Sequence, residues 1–243
     1  MNRTLRIVDG REAFIEAVAS AAQTVICDAI ARKGKAHVAL TGGTMGIAVL
    51  TGFDVSTTSP VDWSQVHFWW GDERFVEHES ADRNCLQARE AFISAADVPE
   101  GNVHEMPAAN SGLSLDEAAS AYAHELSEHA QAGSNLPEFD LTFLGIGPDA
   151  HVASLFPDHP DAKKPGTVVS VRNSPKPPPE RISLTYSALN ASKRIWVVAC
   201  GADKAEAVAL MMSNQGSLSV PSSCVNGRDE TVLWADNAAS SLI

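Results

Sequence analysis

The stretch FDLTFLGIGPDAHVASLFP, residues 139–157, decides how the chain is read. Its first half is a short, almost continuous apolar run carried by Phe139, Leu141, Phe143, Leu144 and Ile146. Such a run suits a strand buried on both faces of a parallel sheet. Gly145, Gly147 and Pro148 then break it, because two glycines and a proline cannot easily continue a strand. An acid, Asp149, and a base, His151, follow the turn at once. In open α/β sheets ligands bind beyond the carboxyl ends of the strands. The pattern therefore sets a titratable pair where such a fold does its chemistry. Taken alone it equally admits a tight turn with a capping Asp and a surface His.

Three other junctions share this form. A strand over residues 37–41 runs into Gly42-Gly43-Thr44-Met45-Gly46 and the apolar residues 47–50. Strand, glycine turn and helix together aim free backbone N–H groups and the positive helix end at an anion. Thr41 and Thr44 add hydroxyl donors. The turn lacks the lysine of a P-loop and the GxGxxG spacing, so close packing explains it equally well. The strand VHFWW, residues 66–70, ends in Gly71-Asp72-Glu73-Arg74. Arg74 offers a planar fork for a phosphate, or an ion pair within its own acidic cluster. The strand RIWVVAC, residues 194–200, ends in Gly201-Ala202-Asp203-Lys204. A cation in a first helical turn opposes the helix dipole, and a bound anion would offset that clash.

The C-terminal ends of parallel strands share one edge, so these four junctions can meet. Together they predict an anion site beside an Asp/His pair. That combination implies a phosphorylated small substrate and general acid–base chemistry.

The remaining segments fit the same plan. We expect a strand over 5–8, then a helix over 11–32 that Asp9 caps and Gly34 stops. A helix begins at 82–84, with Arg83 a solvated charge on its first turn, and another opens at Ser114. Residues 99–110 are irregular. Strands are expected over 167–171, 181–185 and 231–234, and a proline-rich loop over 174–179. A helical turn follows at 186–191, a helix reaches residue 212, and Asp236 caps a short tail helix. Trp69, Trp70 and the Met211-Met212 pair read as core. His67 reads as a structural strand residue, and His104 as a lone loop histidine without a catalytic role. Strands and helices alternate through most of the chain. We expect a doubly wound, Rossmann-like α/β fold, a mostly parallel sheet flanked by helices, in one domain over 1–243.

Charge narrows the function. The 243 residues carry 18 Lys and Arg against 30 Asp and Glu, a formal net charge of −12. Such a surface argues against nucleic-acid or acidic-membrane binding, which need clustered cations. A few local cations still suffice to hold one phosphate. The four cysteines are far apart and form no CxxC pair, so no zinc-ribbon or redox pattern is present. Cys27 and Cys200 read as small core residues. No apolar leader and no 18-residue apolar run stands out, and the expectation is a soluble, cytoplasmic protein.

At this point the segments ALTGGTMG, WWGDERFVEHESADRNCLQA, FDLTFLGIGPDAHVASLFP, PPPERISLT and GADKAEAV matter together. In this order and over residues 39 to about 208, the chain resembles the 6-phosphogluconolactonase family. That family belongs to the superfamily shared with glucosamine-6-phosphate deaminase and ribose-5-phosphate isomerase. The resemblance implies a NagB/RpiA/CoA transferase-like fold and hydrolysis of 6-phospho-D-glucono-1,5-lactone in the oxidative pentose phosphate pathway. It implies His151 as general base and Asp149 as its orienting acid. For substrate binding it implies Thr41, Gly42, Gly43, Thr44, Asp72, Arg74, Asn84 and Arg181 or Lys204. No cofactor and no metal are expected, since the lactone is already activated; a monomer or homodimer is expected.

Two departures stand out. The family's Ser-Gly-Gly-Ser-Thr-Pro reads Thr-Gly-Gly-Thr-Met-Gly here, and its Asp-Gly-His reads Asp149-Ala150-His151. Alanine reaches positive φ less easily than glycine, so the local turn is expected to differ slightly. Deaminases of the superfamily carry Asp-Glu-Tyr where this chain has Asp72-Glu73-Arg74. They carry Phe-Asn-Glu-Pro where it has Ser154-Leu155-Phe156-Pro157. Both positions favour a lactonase over a deaminase. A sugar-phosphate sensor would bring a helix-turn-helix, and a dinucleotide oxidoreductase its glycine fingerprint; neither motif is evident.

Overall fold

The apolar runs pair side by side. The computed structural model describes residues 3–213 and 216–243. Its strands are β1 (Thr4–Ile7), β2 (Ala36–Leu40), β3 (Val66–Trp70), β4 (Asp72–Arg74), β5 (Leu141–Gly145), β6 (Val168–Val171), β7 (Arg181–Leu184), β8 (Arg194–Ala199) and β9 (Glu230–Ala235). Its α-helices are α1 (Arg11–Lys33), α2 (Gly43–Leu50), α3 (Asn84–Ala91), α4 (Leu115–Glu128), α5 (Tyr186–Asn190) and α6 (Ala205–Ser213).

Six strands form one sheet in the order β1-β9-β8-β5-β2-β3, parallel throughout. From β2 the chain winds out to β3 at one edge. It then returns through β5 and winds the other way to β8 and β9, and the N-terminal β1 pairs with β9 at the far edge. The order reverses between β2 and β5, and a crevice opens at such a switch point. The two glycine turns follow β2 and β5, so they flank it. Residues 141–144 of β5 are buried on both faces, as a central parallel strand requires.

Helix α1 packs on β2, β5 and α2. It is long and apolar enough to cross a membrane, with a mean hydropathy of 1.4 in its most apolar window. Its Phe14, Val18, Ala22 and Ile26 are fully buried in the core instead. Gly34 ends it at φ 76, its N–H returning to Ile30 O. Gly10, not Asp9, is its N-cap, and no side chain caps it. Ser114 and Glu117 form the reciprocal capping box of α4.

Four other expectations need correction. The strands expected over 167–171 and 181–185 do not join the large sheet. They pair with β4 in a separate antiparallel sheet, β4-β7-β6. The tail after Asp236 makes turns, not a helix; the Asp236 carboxylate accepts the N–H of Ala239 and of Gly201. Cys27 and Cys200 are half-buried at the margin of the core. Arg83 is no solvated charge: it is 1% exposed, donates to Met106 O at 2.6 Å and lies 3.9 Å from the Glu73 carboxylate. Trp69, Trp70 and Met211 are core, as read, while Met212 is partly buried.

Candidate active site

One cleft of about 250 Å³ opens over the switch point. It is lined by Thr41, Gly42, Gly43, Thr44, Asp72, Arg74, Asn84, His151, Arg181 and Lys204. All the residues expected to bind substrate therefore meet there, together with His151. Asp149 stands behind the imidazole, outside the lining. A second cleft of about 470 Å³ shares Gly42, Gly43, Thr44 and Lys204 with it and extends toward Met45 and Arg11.

The glycine turn is shaped by close approach. A Cβ at Gly42 would overlap the Asn84 side chain, and one at Gly46 would overlap Thr41. Gly43 has φ 80, a conformation that costs a glycine little. The first N–H groups of α2 thus open toward the cleft without side chains in the way. Thr41 Oγ1 accepts the Gly145 N–H at 3.2 Å, which ties the two glycine turns together.

Beneath the opposite wall, Glu73 organises the start of α3. Its Oε1 accepts the N–H of Arg74 at 2.9 Å and of Asn84 at 2.7 Å; its Oε2 accepts Cys85 N–H at 2.9 Å. This carboxylate does the work of a helix N-cap from a different strand. It holds Asn84 so that its Nδ2 donates to Asp72 O at 2.8 Å. The Asn84 Oδ1 is buried and has no hydrogen-bond partner among the described residues. Ser154, from the Ala-Ser-Leu-Phe-Pro segment, donates its hydroxyl to Asp72 Oδ2 at 2.6 Å.

The cations come from separate elements. Arg74 and Arg181 are direct partners across β4 and β7. Like charges placed opposite one another destabilise a sheet pair. Arg74 Nη1 donates to Asp82 O at 2.6 Å. Arg181 gives Nε to Pro178 O, and Nη2 to Lys176 O and Pro177 O. It thereby anchors the proline-rich loop. Lys204 lies 3.1 Å from Asp203 and faces the cleft from the far side.

That loop delivers a residue which sequence reasoning missed. Lys176 lines the cleft, and its Nζ donates to Asp149 Oδ1 at 3.2 Å. It lies 3.3 Å from His151 Nδ1. His151 Nδ1 and Asp149 Oδ1 are 2.5 Å apart. With Nδ1–H directed at Asp149, the lone pair sits on Nε2, which has no partner among the described residues. Burial works against the charge on Asp149. The hydrogen bond from His151 and the Lys176 ammonium outweigh it and hold the carboxyl well below the usual carboxylate range. Ala150 takes φ 63 and is fully buried. The left-handed turn expected of glycine is thus adopted by alanine, held by the packing around it.

Residues 9–234 match the sequence model of the family described as glucosamine-6-phosphate isomerases/6-phosphogluconolactonase. A 6-phosphogluconolactonase of Streptomyces coelicolor is 41% identical, over 99% of this chain and 95% of its own length. One of Mycobacterium leprae is 38% identical, over 100% of this chain and 99% of its own. Among solved structures, the 6-phosphogluconolactonase of Thermotoga maritima superposes with a TM-score of 0.84 at 27% identity. That match covers 97% of this chain and 100% of that one.

Proposed function

We propose that this chain, which belongs to the glucosamine-6-phosphate isomerase/6-phosphogluconolactonase family, hydrolyses 6-phospho-D-glucono-1,5-lactone to 6-phosphogluconate. One observation carries the reading: in a chain of net charge −12, Arg74, Lys204 and the glycine turn Gly42-Gly43-Thr44 line the same cleft as His151. A phosphate held against that turn would offset the two cations beside the imidazole.

The 6-phosphate sits against the α2 N-terminus, Gly42, Gly43 and Thr44, with Arg74 and Lys204 as its cations. Arg181 has three contacts committed to loop carbonyls and acts chiefly by holding that loop. Asp72 and Asn84 line the cleft for the sugar hydroxyls, and the unpartnered Asn84 Oδ1 would accept from one of them. His151 Nε2 takes a proton from a water molecule as its oxygen attacks the lactone carbonyl carbon. Asp149 keeps Nδ1 protonated and stabilises the imidazolium that forms. Collapse of the tetrahedral intermediate breaks the bond to the ring oxygen, and the imidazolium returns its proton there. Lys176 keeps Asp149 ionised and aimed. None of these steps calls for a cofactor. We read residues 1–243 as one domain of a cytoplasmic enzyme that works as a monomer or homodimer.

The test is turnover of freshly prepared lactone, coupled to 6-phosphogluconate dehydrogenase, with spontaneous hydrolysis subtracted. Acceleration by the parent and its loss in His151→Ala are expected. A His151→Ala variant within a few-fold of the parent would overturn the base assignment. No acceleration by the parent would overturn the activity itself.

A further inference from the structure

Away from the cleft, three histidines from distant parts of the chain converge. His67 lies on β3, three residues before its C-terminal end, so about 10 Å back along the strand from the cleft edge. His104 follows the 3-10 turn at Glu100–Asn102, and His129 ends α4. One ligand nitrogen from each lies within 4.8 Å of the other two. His104 is 3% exposed, while His67 and His129 are half-buried, which leaves the cluster a way in from solvent.

We propose that His67, His104 and His129 bind one divalent transition-metal ion of the zinc or cobalt kind, as a structural staple joining β3, the segment after it and the end of α4. Imidazole donors suit such ions. The spacing is close to what they need. His67 Nδ1 and His104 Nε2 are 3.0 Å apart; two nitrogens on one tetrahedral zinc stand about 3.3 Å apart at ordinary Zn–N lengths. The supporting contact is already built. His104 Nδ1 lies 2.7 Å from Glu125 Oε1, so the carboxylate takes that N–H and leaves the Nε2 lone pair for the cluster. A carboxylate behind a ligating histidine is the arrangement that orients such ligands. When an ion replaces the His67–His104 hydrogen bond, His67 moves its proton to Nε2 and Nδ1 becomes a ligand. No net proton is released.

His37 stacks on His67 at 4.7 Å. Its Nδ1 accepts the Trp69 indole N–H, which keeps it out of the ligand set. Lys35 opposes a cation here, and Glu125 and Glu128 offset it. The indole of Trp69 lies flat on His104 at 3.8 Å and fixes that ring.

The test uses the full chain without a histidine tag, stripped with chelator and titrated with cobalt chloride and then zinc chloride. Saturable binding of one equivalent is expected, with a tetrahedral cobalt spectrum that zinc displaces, and zinc should raise Tm. His129→Ala should weaken binding at least 10-fold, and Glu125→Gln, on an accessible helix face, by 10- to 100-fold. His151→Ala should bind as the parent does. Absence of stoichiometric binding, or equal affinity in His129→Ala and Glu125→Gln, would overturn the proposal. So would loss of binding in His151→Ala, which would put the ion in the cleft.

Discussion

Gly147 lies directly under the His151 imidazole. Its N–H donates to the His151 carbonyl oxygen at 3.0 Å, and a Cβ there would overlap the Nδ1 and Cε1 atoms of His151 and the Asp149 carboxylate. A methyl group at this point has to push the dyad aside. Gly147→Ala is therefore expected to lower kcat by at least about 100-fold, the scale of a misplacement near 1 Å. KM should change only a few-fold, because the proposed phosphate contacts lie elsewhere. Steady-state kinetics beside a thermal melt checks this; a kcat within a few-fold of the parent would show that the loop can yield.

Arg74 can be separated from the chemistry. Truncating a charged hydrogen-bond donor costs about 1.5–3 kcal/mol. Arg74→Ala should then raise KM roughly 10- to 100-fold with kcat nearly kept. An unchanged KM would remove Arg74 from the phosphate site. Arg74→Lys should recover only part of the loss, since an ammonium lacks the planar fork.

Asp149 makes stability depend on pH in one direction. Its carboxyl titrates below the usual range in the folded chain, and near about 3.9 when unfolded. The unfolded chain therefore binds the proton first. The stabilisation is full above about pH 4 and fades as pH falls through the folded value. The Tm difference between the parent and Asp149→Asn should shrink as the buffer is taken below about pH 4. A difference that grows below that pH would contradict the assignment. Partial exposure of the pair keeps the effect modest.

Glu73 is the costly residue to lose. It is 1% exposed, pairs with a buried Arg83 and accepts three backbone N–H groups. Breaking one side of a buried pair costs about 3–5 kcal/mol, because the remaining charge is stranded. Glu73→Ala should lower the urea-unfolding free energy by that amount. It should also raise KM, since Asn84 loses its anchor. A loss below about 1 kcal/mol would mean that Glu105, 4.0 Å from Arg83, takes over.

Much of this was legible in local pattern. The strands over 36–40, 66–70, 141–145 and 194–199 announce themselves as apolar runs ending in glycine, and their parallel pairing follows from the intervening helices. Because parallel strands share a C-terminal edge, the convergence of Thr41, Arg74, His151 and Lys204 follows from order alone. The resemblance then supplied roles for Asp72 and Asn84, which no local periodicity marks.

Other features depend on contacts between segments far apart in sequence. Arg83 reads as a solvated charge because arginine in a polar first turn usually is; only Glu73, ten residues back, makes it a core residue. Lys176 sits in a proline-rich loop with no motif, and only Arg181, binding three carbonyls of that loop, brings its ammonium to Asp149. His67 and His104 read as unrelated residues 37 positions apart until β3 and the following segment pack together. By itself the sequence determined the strands, their glycine ends and the shared edge, because these rest on periodicity and backbone freedom within a few residues. The tertiary structure alone decided which charges are buried, what each is paired with and which loop residue reaches the imidazole. Desolvation and ion pairing depend on neighbours in space, which one-dimensional spacing does not encode.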